Sequence, residues 1–113
     1  MKTHELKTVN PWFSDMWNGE KDFEVRKDDR EFLKGDILWL REYIPNALRD
    51  VANNCLILTG GNPYTGRELL CHVKYILRAG VFVGLNPCYC CMGIEILQQR
   101  LVKKNEVKLS RTN

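Results

Sequence analysis

The feature that most limits what this chain can fold into is a two-residue alternation of apolar and polar side chains, repeated in several short windows. In residues 67–77, Leu69, Cys71, Val73 and Tyr75 fall on one face, and Glu68, Leu70, His72 and Lys74 on the other. In residues 89–97, Cys90, Met92, Ile94 and Ile96 share a face. A period of two belongs to the pleated strand, where successive side chains point to opposite sides. Residues 21–26 alternate likewise, which predicts Phe23 and Val25 on a buried face and Asp22, Glu24 and Arg26 on a polar one. A short first strand is expected over Thr3–Thr8, and a central strand over Ile37–Tyr43, a β-prone run that follows the Gly35-Asp36 turn. One short helix is predicted over residues 11–18, with Asn10 as cap, Pro11 at the first helical position and Gly19 as the stop. Its pairs Trp12/Met16 and Phe13/Trp17, spaced i, i+4, predict an apolar stripe packed into the core. The expected fold class is therefore α+β and β-rich.

A chain of 113 residues supports one hydrophobic core. Its 44% hydrophobic and 27% charged residues are the balance of a globular domain. No stretch approaches the roughly 20 apolar residues of a membrane span, and the start lacks a secretory apolar segment, so the expectation is a cytoplasmic protein with no membrane association. The five cysteines, Cys55, Cys71, Cys88, Cys90 and Cys91, are an odd set expected to stay reduced. Residues 1–97 are assigned to the folded domain, with an enlarged connection over 44–62, and residues 98–113 to a mobile basic tail. That tail carries Arg100, Lys103, Lys104, Lys108 and Arg111 against Glu106 alone. Net charge is +3, so the body is nearly neutral and any nucleic-acid site must be a local one.

The densest charge cluster has the spacing G-x-K-x-x-E-x-R, formed by Gly19, Lys21, Glu24 and Arg26. Glycine permits a left-handed exit from the helix, setting Lys21 at the mouth of the sheet. Glu24 and Arg26, two apart, project from one strand face. Arg26 offers a planar fork for a phosphate or base edge, Lys21 a compact positive charge, and Glu24 an acceptor that orients either cation. The same residues also make an ordinary salt bridge on a strand face, and spacing alone leaves both readings open.

This motif resembles the signature of the ASCH domain, within the PUA-like superfamily. Further segments resemble small ASCH-like proteins of bacteria and phages: His4-Glu5-Leu6-Lys7, Phe23-Glu24-Val25-Arg26-Lys27, Asp29-Arg30, Gly35-Asp36, Tyr64-Thr65-Gly66-Arg67 and Val73-Lys74-Tyr75-Ile76-Leu77. The chain departs from them at residues 44–62 and at 88–91. The resemblance implies a PUA-like, partly closed β-barrel with one or more short helices. It also implies a module that binds RNA or a modified nucleoside, in a cleft lined by Lys21, Glu24, Arg26, Arg30 and Arg67 with Tyr64 as a stacking ring.

Two other functions are weighed. Some ASCH proteins are hydrolases, either amidohydrolases on acetylated cytidine or ribonucleases. Lys21 matches their catalytic lysine, but Glu24 stands where the amidohydrolases place a threonine; Lys21 and Glu24 are then the catalytic candidates. A phage or mobile-element accessory protein that binds a host protein through residues 44–62 is the third reading. Cys88 and Cys91 form a C-x-x-C pair, with Cys71-His72 as further candidate ligands, but strand alternation points neighbouring cysteines to opposite faces, so no metal and no cofactor are expected. Neither His4 nor His72 stands in the spacing of a catalytic triad, and the glycine clusters lack the strand-to-helix context of a phosphate-binding loop.

Overall fold

A computed structural model describes residues 1–45, 63–80 and 83–102. The described elements are β1 (Thr3–Thr8), α1 (Trp12–Trp17), β2 (Phe23–Lys27), β3 (Ile37–Tyr43), β4 (Tyr64–Arg78) and β5 (Tyr89–Leu101). The strands form one five-stranded sheet in the order β1-β3-β4-β5-β2. Only the β1–β3 pairing is parallel; the others are antiparallel. The enlarged connection over 44–62 lies almost wholly outside the described residues, as do Cys55 and the end of the basic tail.

Alternation decides which face of the sheet is apolar. Burial alternates without a break along β1 and β3, placing Leu6, Leu38 and Leu40 inward. Leu69, Cys71 and Val73 of β4 and Cys90, Met92 and Ile94 of β5 complete that face, and Phe13 and Met16 of α1 close over it. A fully buried side chain of this kind stabilises the fold by about 1.5–3 kcal/mol, so a six-residue helix with two of them is held by packing more than by helix propensity. Pro11, expected at the first helical position, is instead the N-cap residue of α1 and makes no side-chain cap bond; Asn10, expected as the cap, stands one residue earlier, where its Oδ1 accepts the Ser14 N–H at 2.9 Å and the Ser14 hydroxyl at 2.7 Å. At the other end Gly19 takes φ +82°, the expected left-handed exit.

The sheet curls until its two edges meet, although β1 and β2 share no ladder among the described residues. Arg26 of β2 donates from Nη2 to the Lys7 carbonyl at 3.0 Å and to Thr8 Oγ1 at 2.9 Å. Arg30 donates from Nη1 to the Glu5 carbonyl at 2.8 Å. Guanidinium groups thus satisfy the outward carbonyls of edge strand β1, which would otherwise stand open as a pairing template. The result is an open half-barrel, strand-rich as expected, with its seam stitched by side chains.

Several expectations are corrected. Strand β2 is inverted: Phe23 and Val25 are 43% and 48% exposed, whereas Glu24 is 3% exposed. On an edge strand beside a charged seam, the ion-paired carboxylate takes the inward position and the apolar side chains face out. Tyr75 is 64% exposed, because a register shift between Val73 and Tyr75 turns β4 over and brings Ile76 against the core instead. Trp12, expected in the core stripe, is 53% exposed. Strand β5 runs on to Leu101, so the start of the assigned tail belongs to the sheet: Gln99 Nε2 donates to the Trp17 carbonyl at 2.6 Å, and Arg100 Nε to Glu68 at 2.9 Å.

Gly66 is the glycine the fold most needs. It has φ +103°, and a Cβ there would collide with the Val102 carbonyl, whose own N–H donates to the Gly66 carbonyl at 2.7 Å. Gly66→Ala is expected to destabilise the protein by about 2–3 kcal/mol, combining left-handed strain with displacement of the end of β5. Chemical denaturation of both proteins measures it, and a loss below about 1 kcal/mol would contradict this account.

Candidate nucleoside site

The seam between β1 and β2 opens into a cavity of about 680 Å³, within the roughly 300–1,000 Å³ of small-molecule sites. Its walls come from the end of β1 (Lys7, Thr8, Val9), from α1 (Trp12, Asp15), from the helix exit (Glu20, Lys21) and from β2 (Phe23, Glu24, Val25, Arg26). The exit is pinned by the Asp15 carbonyl, which accepts the N–H of Glu20 at 2.8 Å and of Lys21 at 3.2 Å. That short hairpin aims the lysine back along β2.

At the cavity wall the three motif side chains form one ordered group. Lys21 Nζ lies 3.1 Å from Glu24 Oε1 and donates to the Phe23 carbonyl at 2.6 Å. Arg26 Nε donates to Glu24 Oε2 at 3.0 Å. The carboxylate therefore sits between two cations, one on each oxygen, and both cations retain donors: the third ammonium proton of Lys21, and Nη1 of Arg26, which meets no acceptor among the described residues. Beside them the exposed rings of Trp12 and Phe23 give the cavity flat apolar surfaces, with Lys21 Nζ 4.8 Å from the Phe23 ring centre.

The other expected cleft residues lie elsewhere. Arg67 makes a bidentate pair with Glu42, Nε to Oε1 at 2.8 Å and Nη2 to Oε2 at 2.7 Å, and also donates to Ser14 Oγ at 3.0 Å. Its guanidinium lies against Phe13 and Trp17, so it anchors α1 to the sheet and is absent from the cavity wall. Burial pushes the Glu42 carboxyl up, but hydrogen bonds from Arg67, Thr65 and Asn10 outweigh it and hold the group at about 2. Tyr64 is on the outer face, edge-on to Tyr43, with the Arg41 guanidinium 3.8 Å above its ring. Arg30 is engaged with the edge of β1. Of the six expected residues the structure brings together Lys21, Glu24 and Arg26. It adds Trp12 and Phe23, which the sequence reading assigned to the core: a ring at helical or strand spacing carries the same signal whether it faces the core or a cavity.

The described cysteines do not gather into a site. Burial pushes the Cys71 thiol up to about 12 and the Cys90 thiol up to about 11. Both are protonated core side chains at neutral pH, with the low reactivity that follows. Among the described residues no three His, Cys, Asp or Glu side chains converge as metal ligands, and no helix is long and apolar enough to cross a membrane.

Fold and cavity together define a small, β-rich α+β domain with a charged, ring-lined site in the seam of a half-barrel. Residues 3–94 match the family described as a domain of unknown function, DUF3850, and the chain belongs to that family. No curated protein matches the chain.

Proposed function

We propose that this protein binds RNA or a modified nucleoside, holding one base in the seam cavity against Lys21, Glu24 and Arg26. The observation that carries this reading is the union, in one cavity of about 680 Å³, of a carboxylate flanked by two cations with two exposed aromatic rings. Single-stranded nucleic acids are recognised by that combination, stacking on rings with polar readout of the base edge. The likeness of the G-x-K-x-x-E-x-R segment to ASCH domains of the PUA-like superfamily supports the same reading.

The test is a screen of the purified protein against single-stranded RNA, transfer RNA and a panel of natural and modified nucleosides, following binding and chemical turnover together. Saturable binding without turnover is the expected result. Turnover would instead make Lys21 and Glu24, 3.1 Å apart, an acid–base pair and the protein a hydrolase. Trp12→Ala should weaken nucleoside binding about tenfold or more, as the loss of a stacking ring does. It should leave stability within about 0.5 kcal/mol, since the side chain is largely exposed. Unchanged affinity in that variant would move the ligand away from this cavity.

A further inference from the structure

Building on the base-binding reading above, we infer that the outer face of the sheet holds a second stacking site, a slot between Phe23 and Tyr75 that takes the base next to the one in the seam cavity. The register sets Phe23 of β2, Gly93 of β5 and Tyr75 of β4 in one row across three neighbouring strands, and directly paired residues share a face. Both rings stand exposed on that face. Two strand spacings put their Cα atoms about 10 Å apart, and a flat group touching a ring on either side needs about 7–8 Å between the rings. The next row, Val25, Cys91 and Leu77, continues the slot as an apolar strip.

Two features of the slot are not demanded by the fold. Gly93 has no left-handed φ, and a Cβ there would meet only the Tyr75 Cβ at 3.8 Å, an ordinary contact. A glycine inside a strand weakens it and marks a place where another group can approach the backbone closely. The second feature is the register shift between Val73 and Tyr75. Unbroken alternation would carry Tyr75 onto the buried face of Val73; the shift turns the ring outward beside Gly93 instead, as bulges re-aim side chains near binding sites. An open floor and two outward rings thus come together from three strands.

Continuity with the cavity points to the occupant. Phe23 lines the seam cavity as well as the slot, so a single ring separates the two sites and successive bases of one extended strand can fill them. No charged side chain stands in either row of the slot. Exposed charges border it instead, Lys27 and Lys74 against Asp22 and Glu95. A neutral slot between two rings suits an uncharged base, and stacking of this kind accepts any base, because each has a flat face.

The decisive experiment titrates the full chain with single-stranded RNA octamers of mixed sequence and, separately, with the four common nucleosides, in the wild type and in Gly93→Val, Tyr75→Ala and Tyr75→Phe. Gly93→Val raises the floor with a β-prone side chain that projects between the rings, and Tyr75→Ala removes an exposed wall, so all three variants should stay folded, which thermal denaturation checks. Gly93→Val and Tyr75→Ala should each weaken octamer binding at least fivefold, while Tyr75→Phe, which keeps the ring, stays within twofold of the wild type. The tightest-binding nucleoside, seated in the seam cavity, should bind all three variants within twofold of the wild type. Octamer affinity unchanged in Gly93→Val and Tyr75→Ala would overturn the slot and leave the base site standing. Equal losses for nucleoside and octamer would overturn the two-site arrangement. Failure of the wild type to bind any nucleoside or the octamers would overturn the base-binding reading itself.

Discussion

An Arg26→Ala variant is expected to lose at least tenfold in RNA affinity at every salt concentration, whereas a variant lacking residues 103–113 should lose affinity mainly at low salt. Hydrogen bonds from a charged group contribute about 1.5–3 kcal/mol each, and a directed contact from the Arg26 fork is only weakly screened. Lys103, Lys104, Lys108 and Arg111 would act instead through diffuse phosphate attraction, so their removal should flatten the dependence of affinity on salt. The truncation begins after Val102 because β5 extends through Leu101. Arg26 also ties β2 to Lys7 and Thr8 and neutralises the buried Glu24, so its loss should lower stability by about 2–3 kcal/mol as well. Affinities are therefore compared at temperatures where both proteins are folded, with Arg26→Lys as a control that keeps the charge without the planar fork. Loss of binding in the truncated protein alone, with Arg26→Ala intact, would detach function from the motif.

Replacing Asp36 by alanine is expected to cost about 3 kcal/mol or more, the largest single loss of stability we foresee. Its carboxylate is buried and accepts from the Lys2 N–H at 3.0 Å, the Leu33 N–H at 3.0 Å and His4 Nε2 at 2.8 Å. Since a carboxylate only accepts, that histidine nitrogen carries the proton. Removal would strand three donors where water has little access. Burial alone would push the Asp36 carboxyl up, but these hydrogen bonds outweigh it and hold the group at about 2, below its ordinary 3.8. A carboxyl lowered in the folded state adds stability that is present above about pH 4 and is lost as pH falls toward 2. This difference is about 2 kcal/mol. Asp36→Asn should therefore be less stable at neutral pH and show a shallower loss between pH 5 and pH 2. Denaturation curves across that range give both quantities, and parallel pH profiles for the two proteins would refute the assignment.

Position along the sequence carried much of this. Thr3–Thr8 and Ile37–Tyr43 are strands where alternation and β-propensity place them, and Gly19 follows the end of the helix in the left-handed conformation through purely local chemistry. The motif spacing put Lys21, Glu24 and Arg26 within reach of one another, because all three sit on the helix exit and one short strand; the pairing of β2 with β5 and the Arg26 bonds to Lys7 and Thr8 then set their orientation. The alignment of Cys90, Met92, Ile94 and Ile96 on one face follows from the same two-residue period.

What alternation cannot state is which of its two faces the rest of the molecule covers. Phe23 and Glu24 exchanged their expected places because the side of β2 that faces inward is set by its register with β5 and by the cations waiting at the seam. Tyr75 turned outward through a bulge that is a property of the pairing between β4 and β5. Arg67 went to Glu42 beneath α1 because curling of the sheet placed a buried carboxylate there, and Asp36 became a buried acceptor because the start of the chain folds back beside it. Local spacing determined the strands, the helix ends and the charged triad; the closing of the half-barrel decided which charges are buried, which rings face the cavity and where the seam opens, since burial and pairing depend on neighbours that lie close only after the chain has folded.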